Sequence, residues 1–178
     1  MTLFRRTHKK FRSGPERGAV LVEFALVLPI MALIIFGMLE FGMVFNNKSS
    51  LQQGTREAAR QASVGQFGGD SSCTIYGLAP TTATHELACL IKERAELDGA
   101  DVRVRINFIS TNDVGDQLAV CALYPVDSIT GFFGPALSGK TISAKVETRL
   151  EQKPSVHDEH LHDFTETPPS GANWSFCT

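Results

Sequence analysis

Features of the common enzyme classes are missing from this sequence of 178 residues. We identify no GxSxG or HExxH motif and no pair of acidic residues on a predicted rigid element. We therefore expect no catalytic residues, no cofactor and no enzymatic activity. The segment VHDEHLHDF places His157, His160 and His162 among acidic residues. No rigid frame is predicted there, so a solvated tail is favoured over a metal site.

Basic residues are scarce outside the first 18 positions. Those positions hold six Lys or Arg and one Glu, a net charge of +5. The remaining 160 residues hold 11 basic and 18 acidic side chains, a net charge of −7. A nucleic-acid-binding protein would concentrate positive charge on its folded domain, so we expect no nucleic-acid partner.

The cysteines are also few and contain no CxxC pair, which disfavours a structural zinc site. All four (Cys73, Cys89, Cys121 and Cys177) follow the apolar segment described next. An even number beyond a membrane segment favours two disulfides formed in an oxidising compartment. Four cysteines allow three connectivities. Cys73–Cys89 is the most local pair, and a Cys121–Cys177 pair would then hold the C-terminal tail.

Charge is absent over the 16 residues Phe24–Leu39, the centre of an apolar segment from Ala19 to Phe45. Glu23 and Glu40 flank this centre, and as a helix the step between them spans about 25 Å. That length approaches the thickness of a hydrocarbon core, so each carboxylate can lie near one interface and avoid the bilayer centre. We predict that the segment crosses a membrane once.

The basic residues around the span predict its orientation. Six Lys or Arg precede the span, and only Lys48 and Arg56 follow it closely. The positive-inside rule then places the N-terminus in the cytoplasm and the C-terminal domain outside the cytoplasm. A secretory signal peptide is disfavoured, because the apolar run is too long and no small-x-small cleavage site follows it.

Periodicity beyond the span predicts an α+β fold. The first helix is expected to run to about Val64 and to stop at Gly65 and the Gly68–Gly69 pair. Residues 80–99 predict a second helix with a capped start at Thr84. Three strands of an antiparallel sheet are predicted at Asp101–Ile109, Leu118–Val126 and Thr141–Gln152. The expected fold is a long transmembrane helix that extends into a small extracytoplasmic domain with a second helix and a three-stranded sheet.

These features predict five regions along the chain. They are a basic cytoplasmic leader (1–18), a transmembrane helix (19–45), a helix extension (46–64), an extracytoplasmic α+β domain (65–153) and a polar tail (154–178) anchored by Cys177. The loop ITGFFGP between the second and third strands carries Phe132 and Phe133. Packing of these rings on their own sheet is favoured, and contact with a partner or a membrane is the alternative.

Several short motifs follow one another between residues 17 and 64. They are Gly18, Glu23 followed by Phe24, an apolar run that contains Pro29, Phe36-Gly37, Glu40-Phe41-Gly42 and Arg56-Glu57-Ala58-Ala59-Arg60. In this order and spacing they resemble the TadE-like family of pseudopilins. That family belongs to the tight-adherence (Flp-type) pilus systems, a branch of the type IV pilus machinery. The resemblance covers about a quarter of the chain.

The resemblance implies processing by a prepilin peptidase, a membrane aspartyl peptidase that cuts after a glycine with a glutamate five residues further on. Cleavage would fall between Gly18 and Ala19 and make Glu23 the fifth mature residue. The resemblance also implies a role for Glu23 and Phe24 in assembly. The new amine of Ala19 would pair with Glu23 of a neighbouring subunit and offset the cost of a carboxylate in an apolar bundle.

The function implied by the resemblance is that of a minor pilin or pseudopilin in the biogenesis or assembly of a Flp-type pilus. Its partners would be the membrane, the prepilin peptidase, other pilins and the pilus assembly machinery. It would reside in the cell membrane or in a pilus at the cell surface. The alternative is an unprocessed single-pass envelope protein whose exterior domain binds a surface ligand.

Overall fold

The computed structural model describes residues 16–66, 82–109, 113–152 and 163–177, with side chains from residue 18 onward. The helices are α1 (Glu16–Ser63), α2 (Ala83–Arg94) and α3 (Gly134–Leu137). The strands are β1 (Arg103–Phe108), β2 (Gln117–Pro125), β3 (Thr141–Arg149) and β4 (Phe164–Thr165), and a 3-10 turn follows at Ser175–Cys177. Four predicted features lie outside the described residues: positions 1–15 of the leader, the glycines at 68–69, Cys73 and the histidine cluster at 157–162.

The chain divides into two compact units, residues 1–39 and 40–178. In the first unit, the large apolar side chains of α1 between Val20 and Leu39 are exposed. Within the described residues, α1 is the one helix that is long and apolar enough to cross a membrane. Exposed apolar surface costs roughly 25 cal/mol per Å² in water, so lipid or other apolar surfaces are the favoured surroundings of this helix. The helix suggests single-pass membrane anchoring.

The C-terminal end of α1 follows the glycine signal in the sequence. Gly65 has a positive φ of 71°, a conformation that favours glycine. Its N–H donates to the carbonyl of Ala62 at 3.1 Å, and the N–H of Gln66 donates to the carbonyl of Gln61 at 2.9 Å. This pair of bonds is a Schellman motif, which satisfies carbonyls that would otherwise lack a partner. The predicted stop at Gly65 therefore agrees with the observed end of α1 at Ser63.

The N-cap of the second helix lies two residues before the predicted cap at Thr84. Thr82 is the N-cap, with an extended backbone and a side chain that accepts from the N–H of His85 at 3.3 Å. Thr84 lies inside α2, and its hydroxyl is 3.1 Å from that of Thr82. These two threonines, two positions apart, both fit the cap pattern, so the sequence alone does not separate them.

The strands form one antiparallel sheet in the order β3-β2-β1-β4. The three predicted strands are confirmed, with bounds that differ from the predictions by a few residues at most. The fourth strand was not predicted. Phe164 pairs with Ile106 and Thr165 pairs with Arg105 on the free edge of β1. A strand of two residues is too short to show an alternating pattern of apolar and polar residues. The sequence therefore predicted three strands and missed β4.

The central strand β2 is buried on both faces of the sheet, as its continuous apolar run predicted. One face contributes Leu118, Val120 and Ala122 to the main core. That core also contains apolar residues of α1 (Leu51, Ala58, Ala59 and Ala62) and of α2 (Leu87, Ala88, Leu90 and Ile91). The other face of β2 packs Cys121 and Leu123 against Trp174 and Cys177 of the C-terminal segment.

The C-terminal segment is held by a disulfide and by a buried carboxylate. Cys121 and Cys177 are bonded, with their Cα atoms 5.9 Å apart. Cys89 is also disulfide-bonded, and Cys73, its predicted partner, lies outside the described residues. The carboxylate of Glu166 accepts from Lys92 Nζ at 2.7 Å and from the N–H of Val104 at 2.8 Å. The carbonyl of Glu166 accepts from Trp174 Nε1 at 3.0 Å.

Candidate functional site

The predicted cleavage site lies in the first turn of α1. This helix begins at Glu16, so Gly18 and Ala19 are its third and fourth residues. Both residues are exposed. The first four N–H groups of a helix have no partner inside the helix, so the backbone here is held by fewer hydrogen bonds than in later turns. Apart from its chain neighbours and the backbone of its own helix turn, a β-carbon added at Gly18 would meet no atom within 4 Å. The Gly18–Ala19 bond is therefore accessible from outside the helix.

The two residues implied for assembly are also exposed on α1. Glu23 is exposed, and 62 % of the surface of Phe24 is accessible. The neighbouring Val20, Leu21 and Val22 are exposed as well. The result is a carboxylate on an otherwise apolar helix surface. Such a group needs water, a lipid headgroup or a counter-charge from another chain, because a carboxylate among apolar groups is costly.

The second carboxylate of the apolar segment, Glu40, is buried with 3 % of its surface exposed. Its Oε1 atom accepts from the Ser128 hydroxyl at 2.6 Å, the Thr130 hydroxyl at 2.7 Å and the Thr130 N–H at 3.0 Å. Its Oε2 atom accepts a longer bond of 3.4 Å from the N–H of Ile129. These donors come from one loop, 88–90 residues away in sequence. The sequence predicted the depth of Glu40 in the span but not these partners.

The loop that binds Glu40 joins β2 to β3 and has its own internal order. Gly131 has a positive φ of 72°, and its N–H donates to the Ser128 hydroxyl at 3.0 Å. The N–H of Phe132 donates to the Thr130 hydroxyl at 3.3 Å. Helix α3 follows, and the N–H of Val126 donates to the carbonyl of Lys140 at 2.9 Å, which closes the base of the loop. The same two hydroxyls thus bind Glu40 and shape the turn.

The adjacent phenylalanines of this loop have different surroundings. Phe132 is 58 % exposed, whereas Phe133 is partly buried. The two rings meet edge to face at a centroid distance of 5.3 Å. Phe133 lines a cavity of about 220 Å³ with Glu40, Phe41, Val44, Ala136 and Leu137. The loop therefore packs partly against α1 and presents Phe132 outward.

The Arg-Glu-Ala-Ala-Arg motif of α1 has a buried side and an exposed side. Ala58 and Ala59 are buried in the core, and Arg56 and Arg60 are exposed. Glu57 binds Arg60 in a bidentate pair, with N–O distances of 2.7 and 3.0 Å. It also accepts from Gln61 at 2.9 Å. The hydrogen bonds from Arg60, and then the one from Gln61, lower the pKa of Glu57 from 4.5 to about 2.

One pattern in the loop is an exception to the missing enzyme motifs, because it is typical of a nucleotide site, but the fold contradicts that interpretation. Residues 134–141, GPALSGKT, match the phosphate-loop pattern GxxxxGK[ST]. In that motif the Lys and the Ser or Thr open a helix whose N-terminus faces the phosphate. Here Thr141 begins strand β3, and the four-residue α3 lies before Gly139. The segment therefore lacks the architecture that binds phosphate.

The described ranges contain no group of three or more His, Cys, Asp or Glu side chains arranged to hold a metal ion. Two features of α1 are therefore the candidate functional sites. One is the exposed start of the helix with Gly18 and Glu23, and the other is the buried Glu40 with its loop. Both belong to positions that carry the family resemblance.

Comparison with known proteins supports that resemblance. Residues 18–60 match the family model described as TadE-like protein. No curated protein and no solved structure is significantly similar to the chain. The match begins at the predicted cleavage residue and ends at Arg60, so it covers the apolar part of α1 and most of the helix extension. The TadE-like family suggests a pseudopilin associated with a Tad or Flp pilus.

Proposed function

We propose that the protein is a minor pilin or pseudopilin that acts in the biogenesis or assembly of a Flp-type pilus. The observation that carries this proposal is the TadE-like match over residues 18–60, which begins at Gly18. The exposed apolar surface of α1 supports it, because that surface requires a membrane before assembly and apolar neighbours after it. In this proposal the N-terminus is cytoplasmic, the helix of residues 19–45 crosses the membrane, and the C-terminal domain lies outside the cytoplasm.

Processing by a prepilin peptidase fits the position of Gly18 in the first turn of α1. A protease binds its substrate as an extended backbone, so the turn around Gly18 must unwind. Unwinding the first turn breaks few hydrogen bonds, and the missing side chain eases entry into a narrow cleft. The basic residues of the leader would hold the bond at the cytoplasmic face.

Glu23 would act after cleavage as a contact between subunits. The exposed carboxylate would bind the new amine of Ala19 on a neighbouring chain, and the charge pair would reduce the cost of placing Glu23 in an apolar bundle. Phe24 would pack beside this pair. Because Glu23 is exposed, we expect removal of its carboxylate to leave the fold of the single chain unchanged.

The proposal is tested by substitutions in the native host. Gly18→Arg is expected to leave a full-length precursor, and Glu23→Ala is expected to reduce pilus assembly while membrane insertion stays normal. The measurements are the size of the membrane-bound chain and the number of pili per cell. Gly14→Arg is the matched control for Gly18→Arg, since it adds the same side chain four positions earlier in the leader.

Each outcome separates the proposal from its alternative. A β-carbon at Gly18 meets open space, so we expect Gly18→Arg to leave the fold intact and an unprocessed precursor to report on the peptidase. Normal processing and piliation in both variants would overturn the pilin proposal. A wild-type chain that retains residues 1–18 and is absent from sheared pili would favour the envelope protein with a ligand-binding exterior domain.

A further inference from the structure

The loop between β2 and β3 is uncharged over the twelve residues 128–139. It includes Ile129, Phe132 and Phe133 and is flanked by Asp127 and Lys140. A loop in water normally carries charged or strongly polar residues, because its backbone and side chains face solvent. This composition, together with the contacts of the loop, raises the question of what surrounds it.

The contacts with Glu40 place this loop beside the C-terminal end of the apolar segment of α1. The hydroxyls of Ser128 and Thr130 lie 2.6 and 2.7 Å from Oε1 of Glu40. Glu40 follows the uncharged run Phe24–Leu39 directly, and the apolar segment continues to Phe45. Ser128 and Thr130 must therefore lie at about the same depth in a bilayer as Glu40.

Apolar side chains around this contact are exposed. Phe41, next to Glu40, is 77 % exposed, and Phe45 lies one turn further along α1 and is also exposed. On the loop, Ile129 and Phe132 are exposed. Phe41 also lines the apolar cavity with Phe133 of the loop. The exposed Phe41 of α1 and the loop that carries Ile129 and Phe132 therefore border one cavity within the second unit.

We propose that the β2–β3 loop, with Ile129 and Phe132, is a lipid-contacting surface that enters the membrane interface at the C-terminal end of the span. Its occupant is the region of headgroups and upper acyl chains of that leaflet. The proposal requires only that α1 crosses a membrane, so it is independent of a role in a pilus. It assigns to the loop the task of seating the folded unit on the bilayer.

Two observations favour lipid over a protein partner as this occupant. The loop shares an apolar cavity with Phe41, and Phe41 belongs to the predicted membrane segment. In addition, the loop supplies hydrogen bonds to both oxygens of Glu40, which reduces the cost of placing that carboxylate near hydrocarbon.

The test is depth-dependent fluorescence quenching of the full chain in vesicles of phosphatidylcholine and phosphatidylglycerol. Phe132→Trp introduces a reporter, and the acyl chains carry bromine either near the carbonyl end or near the methyl end. The wild type provides the baseline, because its single tryptophan, Trp174, is buried against the sheet. We expect stronger quenching in Phe132→Trp than in the wild type, and most from bromine near the carbonyl end, since interfacial groups enter to about 5–10 Å.

Val114→Trp is the matched control. Val114 is 55 % exposed and lies before β2, at the end where Gln117 pairs with Arg149. The β2–β3 loop lies at the other end, where Pro125 pairs with Thr141. The length of β2 separates the two ends by about 25 Å. We expect quenching of Val114→Trp to equal that of the wild type.

Two results would overturn the proposal. The first is equal quenching of Phe132→Trp and Val114→Trp. The second is a blue shift of the Phe132→Trp emission that appears only at high protein-to-lipid ratios and without quenching, which would identify a second copy of the chain as the occupant. Ile129→Trp provides a second reporter on the same loop if Phe132→Trp disturbs folding, and the same quenching pattern is expected from it.

Discussion

The buried ion pair between Lys92 and Glu166 allows a quantitative prediction about the C-terminal segment. The side chain of Glu166 is 1 % exposed, that of Lys92 is 10 % exposed, and Nζ lies 2.7 Å from Oε1. Lys92→Met keeps a long apolar stem and removes the charge, so Glu166 loses its counter-charge while it stays buried. Removing one partner of a buried pair costs about 3–5 kcal/mol. We expect the free energy of unfolding to fall by that amount.

Trp174 provides the assay for this prediction. It is the single tryptophan of the chain and donates to the carbonyl of Glu166. Denaturant unfolding of the full chain in detergent micelles, followed by Trp174 fluorescence, gives the free energy for the wild type and for the variant. The double variant Lys92→Met/Glu166→Gln is expected to be more stable than Lys92→Met alone. Gln carries no charge, and its carbonyl oxygen still accepts from the N–H of Val104.

Lys145→Met is the control for this experiment. Lys145 Nζ lies 2.8 Å from Glu147, about the same distance as in the buried pair, but both side chains are more exposed. Solvent screens such a pair, so its loss is expected to cost at most about 1 kcal/mol. The reasoning is refuted if Lys92→Met and Lys145→Met have the same effect, because burial would then not determine the cost.

Three further predictions concern packing, the disulfide and pH. A β-carbon at Gly54 would lie 2.8 Å from the backbone N of Ala95, the C-cap of α2. In denaturant unfolding, Gly54→Ala should therefore lower the free energy of unfolding by about 1–3 kcal/mol, whereas Gly42→Ala, where a β-carbon meets open space, should not. Loss of the Cys121–Cys177 disulfide, with a sequence separation of 56, should cost about 4 kcal/mol, measured in the double Cys→Ala variant by denaturant unfolding. The stabilisation due to the lowered pKa of Glu57 should be complete above about pH 4.5 and lost as the pH falls through about 2. Arg60→Gln should move the NMR titration midpoint of Glu57 upward, and an unchanged midpoint would contradict the assigned cause.

The elements of the exterior unit follow from local patterns in the sequence. Alternation of apolar and polar residues predicted β1 and β3, and the continuous apolar run predicted that β2 is central. Those patterns are informative because each side chain of a strand faces one side of the sheet, and both sides of β2 are covered. The end of α1 was also predictable from local sequence, because a helix often ends at a residue with positive φ and glycine adopts that conformation without a steric penalty.

The contacts that the sequence did not predict join distant parts of the chain. Glu40 was predicted to lie near a membrane interface, but its donors are 88–90 residues further on. Glu166 lies in a segment that was predicted to be a polar tail, yet it is buried on Lys92, 74 residues away. A single sequence contains no signal for such pairings, because they depend on how the elements pack and not on the periodicity of either partner.

The central claim is that the protein is a processed pseudopilin, and the most direct test is the N-terminus of the mature chain. The protein should be purified from the membranes of its native host and analysed by N-terminal sequencing and intact mass. We predict a chain that begins at Ala19 and lacks the basic leader of residues 1–18. A mature chain that still begins at Met1 would contradict the account.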